Sequence, residues 1–212
     1  RLSSVANSLR LIKAFSEDEY EIGISDLAKR LGLAKSTVHR LASTLLEQGM
    51  LEQNPADGRY HLGLALFELG PMVRRKMDFT AEARPFLRTL MEKTGETVHL
   101  AILDHDSILY VITHESKQAL RMGSKVGTRA PVHSTAVGKV LLASQPEEEI
   151  ERIVARGLPQ STPGTIVEAR ALRRELALVK AQGHAVDDEE SEIGLRAIAA
   201  PIAVRMPARR SA

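Results

Sequence analysis

Two short helical periods meet at a glycine and run into an Asp-Gly turn between extended runs, and that order leaves few folds open. In Ile24-Ser25-Asp26-Leu27-Ala28-Lys29-Arg30-Leu31, Ser25 is placed to cap a short helix and Asp26 falls in its first turn, where the helix dipole favours an acid. Gly32 can end that helix in the left-handed conformation. A second helix is expected at once, over about Lys35 to Gln48, with Val38, Leu41, Leu45 and Leu46 turned inward and Gly49 stopping it. Helices joined by so short a link must cross steeply, which is the helix-turn-helix geometry. Then Met50 to Gln53 and Tyr60 to Leu62 flank a segment containing Asp57-Gly58, a strong hairpin signal. Upstream, Leu2, Val5, Leu9, Ile12 and Phe15 recur three or four apart and predict one more helix. Three helices and a wing fill residues 1–63.

Beyond the wing, Leu64, Phe67, Leu69, Met72 and Val73 surround Gly70-Pro71 and predict a linking helix over 64–78 with a kink or interruption. Residues 79–212 read as a mixed α/β domain. A helix over Ala81 to Lys93 ends at Gly95, and strands are expected over Thr97 to Leu103, Ile108 to Thr113 and Ala119 to Met122. Helices follow over Thr135 to Ser144 and from Pro146 to Arg156. Thr165-Ile166-Val167-Glu168 has the form of a capping box opening a helix that runs to Gly183. Ala185 to Val186 and Leu195 to Val204 return to strand. The fold class is therefore α+β in two domains.

Composition narrows the function classes. The chain has 212 residues, of which 43% are hydrophobic but only 3% aromatic, so its cores are built mainly from Leu, Ile, Val and Ala. No segment approaches the roughly eighteen apolar residues of a membrane span, and the first residues do not resemble a signal peptide. A cytoplasmic protein is the expectation. With no Cys there is neither a disulfide framework nor a thiolate metal site. A net charge of +2 announces no partner, but its distribution does. Between Ser25 and Ser43, Lys29, Arg30, Lys35 and Arg40 oppose Asp26 alone, whereas Asp187 to Glu192 is acidic throughout apart from Ser191. The basic end is the one suited to phosphate.

The second helix of a helix-turn-helix usually enters the major groove with its first turn toward base edges. Here that turn supplies Lys35, Ser36, Thr37, His39 and Arg40 opposite Val38 and Leu41. Lys35 and Arg40 can reach phosphate or guanine, and Ser36 and Thr37 can donate to phosphate beside the helix N-terminus. Arg59, at the wing tip, can reach a flanking groove or backbone. The same pattern also suits a solvated amphipathic hairpin or a winged helix that contacts only protein. One winged helix contacts little DNA, so dimerisation is expected.

Taken in order, Leu27-Ala28, Gly32-Leu33, Lys35-Ser36-Thr37-Val38-His39-Arg40-Leu41, Leu45, Gly49-Met50-Leu51 and Tyr60-His61-Leu62-Gly63 resemble the IclR family of bacterial regulators. The second domain carries matching blocks: Thr94-Gly95-Glu96-Thr97-Val98-His99-Leu100-Ala101, then Gly127 and Pro131-Val132-His133-Ser134-Thr135-Ala136-Val137-Gly138-Lys139-Val140-Leu141-Leu142-Ala143. Asp187-Asp188-Glu189-Glu190 and Gly194-Leu195-Arg196-Ala197-Ile198-Ala199-Ala200-Pro201-Ile202 complete the series. The resemblance implies a GAF-like effector domain, operator DNA as partner, homodimers that pair into tetramers, and a small organic acid or aromatic metabolite as effector. By motif position, the effector pocket would fall on Met122, Ala130, Ala136, Val137, Asp187 and Ala197. The amides of Ala136 and Val137 would open a helix there, where N–H groups and the dipole favour a carboxylate. Some relatives place Cys where this chain has Ala197, which removes a polar contact. The resemblance also makes the C-terminus short, since a further strand and a closing helix usually follow Ile202.

The residues of the second domain give little support to an enzyme. His99, His105, His114, His133 and His184 lie in the second domain with Asp104, Asp106 and Asp187, but none has the spacing of a helical metal motif. Ser134 beside His133 lacks a G-x-S-x-G elbow. No catalytic residue, metal or cofactor is expected, and a protein-binding scaffold remains the third reading.

Overall fold

The structure is a computed structural model, and it describes residues 3–16, 18–74, 77, 79–116 and 125–203. The chain divides into two compact units, 1–78 and 79–212.

The first unit contains α1 (Ser3–Ile12), α2 (Ile24–Leu31), α3 (Lys35–Glu47), β1 (Leu51–Gln53), β2 (Tyr60–Leu62) and α4 (Leu64–Arg74). Both α1 and α2 pack on α3, which in turn packs on β1. Leu11, Leu27, Val38, Ala42, Leu51 and Tyr60 meet in one buried cluster. The β1–β2 hairpin is antiparallel with Leu51 opposite Leu62, and Ile22, from the α1–α2 connection, forms an isolated antiparallel bridge to Tyr60. Ser25 does not cap α2. Gly23 holds that position, and its carbonyl accepts from the Asp26 and Leu27 amides at 3.1 and 3.0 Å. The chain enters extended through Gly23, so Ser25 falls inside the first turn. Gly32 closes α2 in the left-handed conformation, as the sequence suggested. α4 runs without interruption through Gly70 and Pro71, and none of its described side chains is buried.

The second unit contains α5 (Phe79–Thr94), β3 (Val98–Asp104), β4 (Ser107–His114), β5 (Arg129–Pro131), α6 (Ala136–Ala143), α7 (Glu147–Ala155), α8 (Ala169–Gln182), β6 (Ala185–Asp188) and β7 (Arg196–Ala199). β3, β4 and β5 form one antiparallel sheet, and β6 and β7 form another. The β3–β4 register shifts between Leu100 and Ala101, and Leu100 and Ile112, paired on one side of that irregularity, join a cluster with Leu87 of α5. Ala101, Ile108 and Tyr110 instead join the main core, with Val140 and Leu142 of α6 and Leu172 and Leu176 of α8. α6 packs on both sheets and on α8, which makes it the central element of this unit.

Three expectations change here. The proposed capping box at Thr165 is not one. α8 starts at Ala169 after Glu168, with no side-chain cap, while the Thr165 hydroxyl accepts from the Thr162 amide at 2.9 Å and donates to the Glu190 carbonyl at 2.6 Å. Tertiary hydrogen bonds took the hydroxyl that a local cap would have used. The last strand is confined to Arg196–Ala199 rather than reaching Val204. β5 was not anticipated, and the expected strand over Ala119 to Met122 lies outside the described residues.

Candidate functional site

Lys35, Ser36, Thr37, His39 and Arg40 are all exposed along α3, while Val38 and Ala42 are wholly buried beneath them. The helix period does this: positions 38, 42 and 45 face the core, and the polar positions between them are turned to solvent. Among the described residues, the side chains of Lys35, Ser36, Thr37 and Arg40 have no hydrogen-bond or ion-pair partner. α3 begins after Ala34 with no side-chain cap, so its first amides are unsatisfied donors at the positive end of the helix dipole. Farther along, Ser43 and Thr44 turn back and donate to the His39 and Arg40 carbonyls.

The wing tip is braced from within. Asn54 donates its amide to the Arg59 carbonyl at 2.8 Å, and its side chain accepts from the Ala56 amide at 2.9 Å. Arg59 is exposed and lies 3.7 Å from Asp57, an open surface pair that leaves the guanidinium available. This surface therefore combines unpaired cations, short hydroxyl donors and free helix amides on one side of a helix, as binding to a polyanion requires.

The expected effector positions fall around α6 and the β6–β7 pair. Thr135 caps α6 by accepting the Gly138 amide at 3.1 Å, which leaves the Ala136 and Val137 amides at the opening turn. Gly138 is required there, because a Cβ would lie 2.4 Å from the Val132 carbonyl oxygen and 2.5 Å from Val132 Cα. Asp187 is buried and sits directly across the ladder from Ala197, so these two positions are brought together. Its carboxylate is engaged within its own turn: Oδ1 accepts from the Glu190 and Ser191 amides at 2.8 and 3.2 Å, and Oδ2 accepts from the Ser191 hydroxyl. Ala130 lies on β5 opposite Ile108 and packs with Val137 against the main core. Met122 lies outside the described residues.

The surroundings of several polar groups are visible only in the structure. His99 approaches Thr113 Oγ1 at 3.0 Å and tilts against the Tyr110 ring, while its Nε2 is buried without a partner. Burial holds its imidazole below the ordinary value, against a smaller upward pull from Glu115. His133 Nε2 donates to the Pro159 carbonyl at 3.0 Å, and burial lowers this imidazole too, the hydrogen bond acting the other way. Ser134 is fully buried with an unpartnered hydroxyl. Lys139 is also buried, although a lysine in a helix ordinarily reads as surface. The available signal was its setting, an α6 otherwise composed of Ala, Val, Gly and Leu.

No three His, Cys, Asp or Glu side chains converge as a metal site among the described residues. Within the same residues, no helix is long and apolar enough to cross a membrane. An open cleft in the first unit, lined by Phe15, Tyr20, Glu21, His61 and Leu62, includes none of the expected site residues.

Comparison with known proteins decides what this arrangement belongs to. The IclR helix-turn-helix domain matches residues 4–55, and the C-terminal domain of the bacterial transcriptional regulator IclR matches residues 72–206. This chain is a member of the IclR family. The IclR-type chain is 39% identical over 203 residues to the HTH-type transcriptional regulator XynR of Escherichia coli, covering 95% of this chain and 80% of XynR. It is 33% identical to the transcriptional repressor IclR of the same organism, covering 95% and 75% of the two chains. Its fold matches an IclR homologue from Microbacterium hydrocarbonoxydans, solved in complex with 4-hydroxybenzoate, with a TM-score of 0.84 at 29% identity over 95% of this chain and 83% of that one. The IclR of Thermotoga maritima gives a TM-score of 0.71 at 31% identity, over 95% and 82% of the chains. The IclR-family chain is thus a DNA-binding transcriptional regulator with a C-terminal effector domain, and not an enzyme.

Proposed function

We propose that α3 is the recognition helix and reads operator DNA in the major groove through Lys35, Ser36, Thr37, His39 and Arg40, with Arg59 of the wing on the flanking backbone. The observation that carries this reading is the exposed, unpartnered donor set at an uncapped helix start. Operator half-sites are then bound by a homodimer. Its interface is supplied by α4, where Leu64, Phe67, Met72 and Val73 are 61–78% exposed, an apolar surface larger than scattered exposure explains. α4 accordingly serves as the linker between the units, and the protein acts in the cytoplasm, where operator DNA is found.

The effector is a small organic acid or aromatic acid held near Met122, Ala130, Ala136, Val137, Asp187 and Ala197, its carboxylate on the α6 amides. The aromatic complex of the Microbacterium relative supports this class. Binding can switch the regulator only by differing in affinity between two arrangements of paired winged helices.

The test is direct. Duplexes selected from a random pool on the full chain are titrated by fluorescence anisotropy, with and without 4-hydroxybenzoate and a panel of small carboxylates. A pseudo-palindromic operator whose affinity shifts with one acid is the expected result. Failure to enrich any sequence overturns the recognition assignment, and an operator indifferent to every acid overturns the effector class.

A further inference from the structure

Among the described residues, Lys139 is the largest fully buried side chain, with 1% of its surface exposed. An ammonium withdrawn from water must be paired. Its Nζ donates to Glu175 Oε1 of α8 at 3.1 Å and to Glu190 Oε1 in the turn after β6. Glu190 is also held through its backbone. Its amide donates to Asp187 Oδ1, and its carbonyl accepts the Thr165 hydroxyl at 2.6 Å and the Thr162 hydroxyl at 3.2 Å. The turn over 187–191 is therefore held from within by the Asp187 carboxylate and from outside by the Lys139 ammonium.

Stability does not account for this arrangement. Two carboxylates, those of Glu175 and Glu190, share one ammonium, the Asp187 charge acts against Glu190, and one Glu190 oxygen is buried without a partner. Burial pushes the Glu190 carboxyl up against the downward pull of Lys139. Buried ion pairs replaced by apolar side chains are often neutral or better, so such a pair is weak evidence of a stabilising role. What the pair does supply is a short directional tie between α6 and the β6–β7 turn.

We propose that Lys139 is a positioning residue whose tie to Glu190 fixes Asp187 relative to the opening turn of α6 and thereby sets the geometry of the effector site. The effector half of this inference rests on the function proposed above, while the tie itself does not.

The two halves are tested separately on the full chain. Lys139→Met removes the ammonium. Glu190→Ala removes the other end of the tie but leaves Lys139 paired with Glu175, so the inference stays testable should the lysine variant not fold. Hydrogen–deuterium exchange of peptides spanning 187–191 is expected to quicken by about tenfold or more in either variant, with peptides from α5 and β3 unchanged. Unchanged exchange at the turn, or an equal rise everywhere, overturns the tie. Calorimetric titration with 4-hydroxybenzoate is expected to show binding weakened by about tenfold in Lys139→Met, or about 1.4 kcal/mol. Lys139→Arg should restore part of that loss, and affinity for selected duplex without the acid should stay the same. Unweakened 4-hydroxybenzoate binding overturns the positioning of the effector site. A wild-type protein that gives no heat with 4-hydroxybenzoate or any other acid of the panel overturns the effector class, and the exchange rates then still decide the tie.

Discussion

Ile22 and Tyr60 exchange two backbone hydrogen bonds of 2.9 Å each, so the α1–α2 connection is pinned to the wing by one antiparallel bridge. The Tyr60 ring is buried in the same cluster as Leu27 and Val38, coupling the wing to the scaffold beneath α3. Tyr60→Ala is expected to cost on the order of 3 kcal/mol, the range for deleting a large buried aromatic side chain. Urea unfolding measures the loss. Operator affinity should fall with it, even at temperatures where the variant remains folded, because the wing loses its anchor. A variant of wild-type stability and affinity would remove Tyr60 from this role.

Gly63 and Gly70 make a paired prediction. A Cβ on Gly63 would lie 2.1 Å from the Gly49 carbonyl oxygen and 2.8 Å from its carbon, both backbone atoms that cannot turn aside. The Gly63 amide also donates to the Met50 carbonyl at 2.9 Å, closing the wing against the end of α3. Gly63→Ala should therefore cost about 3 kcal/mol, the upper end for overpacking. A Cβ on Gly70, inside α4, would meet nothing within 4 Å. Gly70→Ala should instead gain up to about 1 kcal/mol from helix propensity. Thermal melts of the two variants should move in opposite directions, and equal shifts would refute the packing argument.

What could be read from the sequence followed the range of the interaction. The α2–α3 pair, the hairpin at Asp57-Gly58 and the helix at Thr135 rest on apolar periods and turn residues that act within a few positions, and each is present. Ser25 and Thr165 carry the local form of caps. The first is displaced by the extended entry through Gly23, the second spent on Thr162 and Glu190, twenty-five residues away in the latter case. β5 is only three residues long and exists because β4 offers it an edge, which no window around Arg129 reveals. At the site, the exposed donors of α3 follow from periodicity alone. Asp187 follows from family resemblance, its turn needs the tertiary fold, and for Lys139 the sequence offers only the apolar setting of α6, not the Glu175 and Glu190 partners.

Lys35 and Arg40 are exposed and unpartnered on the face of α3 that is proposed to meet DNA. If each neutralises one phosphate, the double variant Lys35→Ala, Arg40→Ala should lower the slope of log affinity against log salt by about 2 per protomer. Affinity at moderate salt should drop by about a hundredfold, taking roughly 1–3 kcal/mol per good contact. Lys29→Ala serves as the control, since Lys29 lies on α2 and not on the proposed recognition helix. Anisotropy titrations across a salt series measure both quantities. An unchanged slope in the double variant would show that these side chains do not displace counterions from DNA.

His133 and His99 contribute to the pH dependence of the effector unit, and Glu190, pushed up by burial, acts in the opposite direction. His133 and His99 both have imidazoles held below the ordinary 6.5, in each case chiefly by burial. Below that value the unfolded chain binds protons that the folded chain refuses, so stability must fall as pH drops through it and recover as pH rises. The contribution is fully present above the unfolded value and is lost as pH approaches the depressed folded values. Asp104 and Asp106, lowered mainly by hydrogen bonds to Arg129 and Arg156, act in the same direction, but their window lies near and below 3.8. The two effects are therefore separable. Melting temperature should decline between about pH 7.5 and 5.5, and His133→Gln, which removes one titrating ring but retains a donor for the Pro159 carbonyl, should flatten that decline. An equally steep decline in the variant would assign the pH dependence to His99 or to another group, and a flat wild-type profile would show that neither ring resists protonation in the folded state.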